Sequence, residues 1–223
     1  MTEQREDATY DAYLLRYPDG SWLAQLTDLP GAYATGVTQE DAVTRLTAAI
    51  PTYYGWLSQH DEYTPTTHSV AHVVPREVAE VASGPAQGLG AFFSGDAQPV
   101  TDEDLDWWLA ALDWAYGDLT AQAQRAPVSP RRAALLSAVA VAQLRVVALA
   151  TGSPTRANVS AADPLALVEL ARKAAASAFR GASAEQREAV REEGGQRWSV
   201  RRGLRESALL VRRATDDLVT MPA

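Results

Sequence analysis

The chain contains no cysteine among its 223 residues. Disulfide bonds, thiol nucleophiles and cysteine-ligated metals are therefore excluded. Histidine is nearly as scarce, since only His60, His68 and His72 occur. No apolar run reaches 18 residues without a charge, so we expect no membrane span. The start, MTEQREDATYD, lacks the apolar core of a signal peptide. These absences predict a cytoplasmic protein.

Acidic residues outnumber basic ones, and the excess is concentrated near the start of the chain. Residues 1–75 hold ten acids against three arginines, a net charge of −7 within a total of −8. An acidic surface repels phosphate, so we expect no direct nucleic-acid binding. The same surface suits a basic protein partner. The alternative, that the acid only keeps the protein soluble, stays open.

The composition divides the chain into three parts. Residues 1–75 predict a small α+β domain, and residues 101–221 predict an all-α bundle, each of ordinary domain size. Residues 76–100 are rich in glycine, proline and small polar residues, which is typical of a linker. Two adjacent phenylalanines, Phe92 and Phe93, are expected to pack on the second domain or on a partner.

The first domain shows the order β-β-β-α-β. Short alternating runs at 10–17 and 21–27 flank a Pro-Asp-Gly turn and predict a β-hairpin. Residues 28–36 could add a third strand. A helix is predicted from Thr38, whose hydroxyl can cap it, to about residue 57. The last strand is predicted at 67–74, closed by proline.

Three short motifs in this region resemble the HicB antitoxin family. They are the Asp19-Gly20 turn, DLPG at 28–31, and G-x-T-x-E-D-A at 36–42. The resemblance implies a partial RNase-H-like α+β fold and a small basic toxin as the partner. It assigns partner binding to five residues: Asp19, Asp28, Leu29, Pro30 and Gly31. The family usually continues into a DNA-binding tail, and we expect no such tail in this chain.

Metal chemistry in the first domain is not expected. RNase-H-like catalysis needs several carboxylates clustered on strands, and the predicted strands offer only Asp11 at the start of one of them. His68 and His72 would share one face of the last strand and could hold a metal. The alternative is that they are solvated side chains near a sheet edge, because no cysteine or carboxylate completes a ligand set.

The second domain is predicted to contain four long helices, at about 101–124, 129–150, 163–180 and 198–218. The second of them is almost wholly apolar, so we expect it to be the most buried. Three tryptophans, Trp107, Trp108 and Trp114, are interpreted as core or helix-end anchors, with a ligand cavity as the alternative. Five arginines on the last helix are interpreted as a solvated face: Arg201, Arg202, Arg205, Arg212 and Arg213.

This half resembles the DinB-like four-helix bundles, many of which depend on a metal. The resemblance rests on LTAQA, RRAALLSAVAVAQLRVVAL and above all WSVRRGLRE. Aligning these motifs puts the family's metal-binding histidines at Ala138, Leu210 and Ala214, none of which can bind a metal. We therefore expect core packing at these positions, no cofactor and no metal. Carboxylates could replace the imidazoles, but the Glu-x-x-His signature is missing. The carboxylates considered are Asp113, Glu169, Glu206, Asp216 and Asp217.

Three functional hypotheses follow. The first is a non-enzymatic binding module, in which a HicB-like domain docks a small basic protein and the bundle supports homo-oligomerisation or docking. The second is a DinB-like metal-dependent thiol transferase or hydrolase. The third is a bundle that senses an apolar ligand. The missing histidines favour the first hypothesis over the second.

Overall fold

The structure is a computed structural model that describes residues 8–60, 71–81, 90–125, 129–152, 163–193 and 195–221. The chain forms two compact units, Met1–Phe93 and Ser94–Ala223. The first is a small mixed sheet with one helix, and the second is predominantly helical. The predicted α+β class is therefore confirmed at this level.

The sheet unit follows the predicted order of elements. It consists of β1 (Ala8–Arg16), β2 (Trp22–Leu26), β3 (Tyr33–Gly36), α1 (Gln39–Ser58) and β4 (Ala71–Glu80). The strand order is β3-β2-β1-β4, with β1 antiparallel to β2 and parallel to β4. Apolar side chains from the sheet and from α1 form the core, among them Leu14, Leu23, Leu26, Leu46 and Ile50.

The last strand runs further than predicted. Proline was expected to close it, but β4 continues through Pro75 to Glu80. The register with β1 shifts here and leaves Arg76 as the extra residue of a β-bulge. Within the described residues β4 is a sheet edge, where a bulge tolerates the missing N–H of proline. Residues 76–80 therefore belong to the sheet rather than to a linker, and the first residues of the predicted strand, 67–70, lie outside the described ranges.

The helical unit contains the four predicted long helices and some shorter elements. The long helices are α2 (Asp102–Gln124), α3 (Pro130–Thr151), α4 (Pro164–Arg180) and α6 (Val200–Thr220). The shorter elements are a 3₁₀ turn (Ser94–Ala97), α5 (Ala184–Glu188), β5 (Arg191–Glu193) and β6 (Gln196–Trp198). Each long helix starts at a side-chain cap that accepts a backbone N–H three residues further on, which satisfies one of the free donors of its first turn. The caps are Thr101, Ser129, Asp163 and Ser199.

The four long helices pack around one core. Helix α2 packs mainly on α6 and α4, and α3 packs on the same two helices, so α2 and α3 lie diagonally across the bundle. Helices α2 and α6 run in the same direction, because Asp104 pairs with Arg201 near their starts and Asp118 lies 3.8 Å from Arg212 further along. Helix α3 begins beside the end of α6, where Arg132 donates to the Leu218 carbonyl.

The most buried helix is the last one, not the second as predicted. Twelve of the 21 residues of α6 are buried, against ten of the 22 residues of α3. Helix α3 is long and apolar enough to cross a membrane by composition alone, but a core helix passes the same test. Only 44% of its apolar stretch is buried, because one side of the helix faces outward. Apolar composition therefore overstated the burial of α3.

The linker phenylalanine Phe93 packs in a way that the sequence did not predict. Its ring stacks on Tyr13 of β1, with the centroids 4.2 Å apart and the planes 7° from parallel. Phe93 is fully buried. This stack makes the last residue of the first unit part of the sheet's own packing.

Candidate functional site: the sheet end and a buried polar network

The DLPG motif shapes a loop rather than presenting a contact surface. Leu29 and Pro30 are both buried. The Pro30 carbonyl accepts a hydrogen bond of 2.8 Å from the Tyr53 hydroxyl of α1. Gly31 has a φ of +75°, a left-handed conformation that glycine adopts without strain. Both side chains thus serve the fold of the loop, and their contact with a partner stays a prediction.

The G-x-T-x-E-D-A motif fixes the start of α1. A Cβ on Gly36 would lie 2.4 Å from the backbone nitrogen of Ala42, so only glycine fits there. Thr38 caps the helix by accepting the Asp41 N–H at 3.1 Å. Asp41 in turn accepts the Val37 N–H at 3.0 Å. Hydrogen bonds from Arg45 and from the Val37 N–H lower the pKa of Asp41. The motif thus carries structure, and it orders the Asp41 carboxylate.

The two predicted acidic contact residues lie at opposite ends of β2. Asp19 lies in the turn before β2 and Asp28 follows its end, and both are exposed. They cannot form one small contact surface, because the length of a strand separates them. Hydrogen bonds from the Ser21 hydroxyl and N–H, at 2.6 and 2.9 Å, hold the Asp19 carboxylate and lower its pKa.

Asp19 shares its end of the sheet with an exposed apolar residue and other acids. The strand register shows which residues lie at this end of the sheet. Arg16 pairs with Trp22, Trp22 pairs with Gly36, and the Arg16 side chain lies 3.1 Å from Glu80. Val37 follows Gly36 and is 78% exposed. We call this the sheet-end surface and define it by five residues: Asp19, Val37, Glu40, Asp41 and Glu80. An exposed apolar residue at the same sheet end as several acids suits contact with a basic protein.

A second cluster of polar groups is buried in the helical unit. Arg205 of α6 forms a fork with Asp96 of the 3₁₀ turn, with Nε–Oδ1 and Nη2–Oδ2 distances of 2.9 and 2.7 Å. Its Nη1 atom lies 3.1 Å from Glu206 Oε1. The three residues are only 1–3% exposed. The Ser199 hydroxyl donates to the Asp96 carbonyl at 2.6 Å, which ties the turn to the start of α6.

Arg202 completes this buried polar network. Its guanidinium lies 3.9 Å from the centroid of the Trp198 ring and donates to the Arg197 carbonyl. Burial lowers its pKa, against the opposing influence of Glu206. Arg202 and Arg205 are 1% and 3% exposed, so the predicted solvated arginine face is wrong for both. Two arginines and two carboxylates, Asp96 and Glu206, balance in formal charge.

The carboxylates considered as metal ligands do not converge. Among the described residues, no group of three or more histidines and acids could hold a metal ion. Glu206 lies against Arg205, while Asp113 and Glu169 both bind Arg172, at 2.7 and 3.2 Å. Asp216 and Asp217 are exposed near the end of α6. The chemistry of these groups is ion pairing.

The three positions aligned with the family's histidines differ in burial. Ala214 is buried, Leu210 is half-buried and Ala138 is exposed. The expected core at these positions is therefore wrong for Ala138 and Leu210. Among the polar side chains of α3 and α6, Gln143 and Ser207 do meet; both are fully buried, and the amide donates to the hydroxyl at 2.7 Å.

The tryptophans divide between the two sides of α2. Trp108 is 4% exposed and belongs to the core, as predicted. Trp107 and Trp114 are half-buried on the opposite side of the helix, where their rings meet edge to face with centroids 6.1 Å apart. The core interpretation is therefore wrong for these two.

The histidines remain separate where the structure describes them. His60 contacts the Trp56 ring edge-on, with centroids 5.2 Å apart. His72 is exposed on β4. His68 lies outside the described residues, so the proposed pairing of His68 with His72 stays a prediction.

Sequence reasoning missed Asp96 and Gln143. Asp96 stands in a segment that composition marks as linker, with no pattern to indicate an ion pair with a residue 109 positions away. Gln143 could have been found, because it is the polar residue inside the apolar run AVAVAQL. Compared with known proteins, the chain matches no family model, no curated protein and no solved structure.

Proposed function

We propose that this chain is a cytoplasmic, non-enzymatic binding protein whose sheet unit docks a small basic protein and whose helical unit supports homo-oligomerisation. The observation that carries the proposal is the sheet-end surface, where Val37 is 78% exposed at the same end of the sheet as four acids, of which only Asp41 and Glu80 form ion pairs with arginines among the described residues. A small basic protein is also the partner that the HicB-like resemblance of the motifs in this unit implies.

The charge of the sheet unit supports a basic partner. Residues 8–60 and 71–81 contain seven acids and three arginines, a net charge of −4. Each of these arginines already lies against an acid: Arg16 with Glu80, Arg45 with Asp41, and Arg76 with Asp11. The net charge of −4 therefore comes from the other four acids of the sheet unit. Such a surface raises the association rate with a basic protein and makes that rate sensitive to salt.

Both edges of the sheet disfavour docking by strand addition. Strand β3 has only four residues. Strand β4 carries Pro75 and the bulge at Arg76, and charged side chains follow. Short edges, prolines, bulges and charges are the features by which sheets avoid pairing with other chains. Side-chain contacts at the sheet end are therefore the better supported mode of binding.

The helical unit supports a scaffold role rather than catalysis. Its buried ionic groups, Asp96, Arg205 and Glu206, contact one another at 2.7–3.1 Å, which suits them to stabilising the fold. Gln143 and Ser207 likewise bind each other across α3 and α6.

Co-expression with any short basic reading frame that flanks the gene tests the proposal. We expect one such product to co-purify at about 0.1 M salt and to dissociate near 1 M, where the screening length is about 3 Å. The double variant Asp19→Lys/Glu40→Lys should lose this product, because it reverses two charges of the sheet-end surface. The matched control Asp216→Lys/Asp217→Lys changes two exposed acids of α6 and should retain it.

Three outcomes contradict the proposal. If no basic product binds, or if the sheet-end variant binds as well as the control, docking at this surface is wrong. Stoichiometric zinc, nickel or manganese in protein purified without an affinity tag would favour the metal-dependent enzyme instead.

A further inference from the structure

The outer side of α3 is apolar with a positive residue at each end. Ala134 and Ala138 are exposed, and Val141 is 47% exposed. Arg131 and Arg145 flank them and are exposed too. The helix contains no acidic residue, and no carboxylate in the described ranges lies within ion-pair distance of either arginine. An apolar surface of this kind, rimmed by charge, is typical of an interaction site.

The outer side of α2 has the opposite charge and larger side chains. The helix carries six acids and no basic residue. Glu103 is exposed, Trp107 and Trp114 are half-buried, and Ala110 lies between them on the same side. Gly117 continues this side, and no atom lies within 4 Å of the position that a Cβ would take there. Half-exposed tryptophans beside small residues are common anchors of protein interfaces.

The residues of the two outer sides have matching spacing. The five outer positions of α2, from Glu103 to Gly117, are separated by four, three, four and three residues. The five outer positions of α3 have the same separations when they are read backwards, from Arg145 to Arg131. Antiparallel helices in this register place Glu103 with Arg145, Trp107 with Val141, Ala110 with Ala138, Trp114 with Ala134, and Gly117 with Arg131. Large side chains then meet small ones, and the acid meets a base.

We propose that the outer side of α2 of one copy packs antiparallel on the outer side of α3 of a second copy. Because α2 and α3 lie diagonally in the bundle, the two surfaces face opposite ways. The contact is therefore head-to-tail, and copies add to a ring or a filament of three or more rather than closing as a pair. This inference rests on the homo-oligomerisation in the proposed function but not on docking of a basic protein by the sheet unit.

Charge exchange between Glu103 and Arg145 tests the register in the full chain. Light scattering coupled to size exclusion should show the mass of the wild-type protein rising with concentration beyond that of two copies. E103R and R145E each place like charges together, and each should weaken association by about tenfold or more. E185R is the matched control, since Glu185 is also exposed at the second position of a helix of this unit, and it should associate like wild type.

If restoring opposite charges also restores association, the loss in the single variants comes from this contact and not from a general effect of charge. In an equimolar mixture, each contact between an E103R copy and an R145E copy regains opposite charges, and so does every contact of the double variant E103R/R145E alone. Both should recover association. A wild-type protein that stays monomeric, growth that stops at two copies, or single variants that the mixture does not rescue would overturn the proposal. The sheet-end variant D19K/E40K should associate normally, so failure here is distinguishable from failure to dock a basic partner.

Discussion

Arg205 and Asp96 form a two-pronged ion pair, with contacts of 2.9 and 2.7 Å, although they stand 109 residues apart in sequence. Both are almost completely buried. A planar guanidinium and a carboxylate match in this geometry, which gives the contact direction as well as strength. It fixes the 3₁₀ turn at 94–97 against α6, so the path of the chain into the helical unit depends on it.

Substitution of Asp96 should destabilise the helical unit strongly. Asp96→Asn keeps the size of the side chain but leaves the buried Arg205 charge without its main counter-charge. We expect a loss of about 3–5 kcal/mol in the free energy of unfolding, measured by urea titration with helical circular dichroism as the signal.

A double variant separates the ion pair from the volume that it fills. Asp96→Leu with Arg205→Met removes both charges of the fork and leaves the buried network with one cation, Arg202, and one anion, Glu206, so it should be more stable than Asp96→Asn. A loss below about 1 kcal/mol for Asp96→Asn, of the size seen for exposed pairs, would contradict the importance of the fork.

Gly203 is needed for close packing at the start of α6. A Cβ there would lie 2.2 Å from the Cβ of Ala150 and 3.1 Å from the ring of Phe179. Gly203→Ala should therefore destabilise the unit by about 1–3 kcal/mol despite the better helix propensity of alanine. The matched control is Gly117→Ala in α2, where nothing lies within 4 Å, and it should stabilise by about 0.5–1 kcal/mol. Equal effects at the two sites, measured by thermal unfolding, would refute the packing argument.

The Gln143–Ser207 hydrogen bond should show strong coupling between its two partners. Ser207→Ala leaves the buried amide N–H of Gln143 without its acceptor, at a cost of about 1–3 kcal/mol. Gln143→Met combined with Ser207→Ala removes both groups and should be less destabilising than Ser207→Ala alone. A double-mutant cycle of unfolding free energies measures the coupling, and strictly additive losses would show that the two side chains act independently.

The start of α2 should make stability depend on pH. Burial alone would raise the pKa of Asp104, but hydrogen bonds from the Thr101 N–H and from Arg201 outweigh it and lower the pKa. A lowered folded-state pKa means stability that is present above the unfolded value of about 3.9 and is lost as the pH falls through the folded value. Wild type should thus exceed Asp104→Asn in stability near neutral pH, and the difference should shrink below about pH 4. A difference that is constant with pH would exclude the charge of Asp104 as its source.

Local chemistry made most of the secondary structure predictable. Thr38, Thr101 and Asp163 cap helices where the sequence places them, because a side-chain oxygen next to free backbone N–H groups acts within one turn of the chain. Gly152 ends α3 with a φ of +69° for the same local reason. Pro75 misled the strand prediction, because only the neighbouring strand decides whether a proline coincides with a bulge.

The sequence by itself determined the order of the elements, the helix caps, the acidic character of the first unit and the absence of thiol chemistry. Tertiary structure alone decided which polar side chains are buried and which meet. Charge patterns mark Arg202 and Arg205 as surface residues, because charged side chains are rarely buried without a partner. The partner of Arg205, Asp96, comes from a distant segment that only folding brings within 2.7 Å. In the same way, motif alignment cannot tell that Ala138 faces outward while Gln143 faces Ser207, since the direction of a side chain depends on how each helix is rotated against its neighbours.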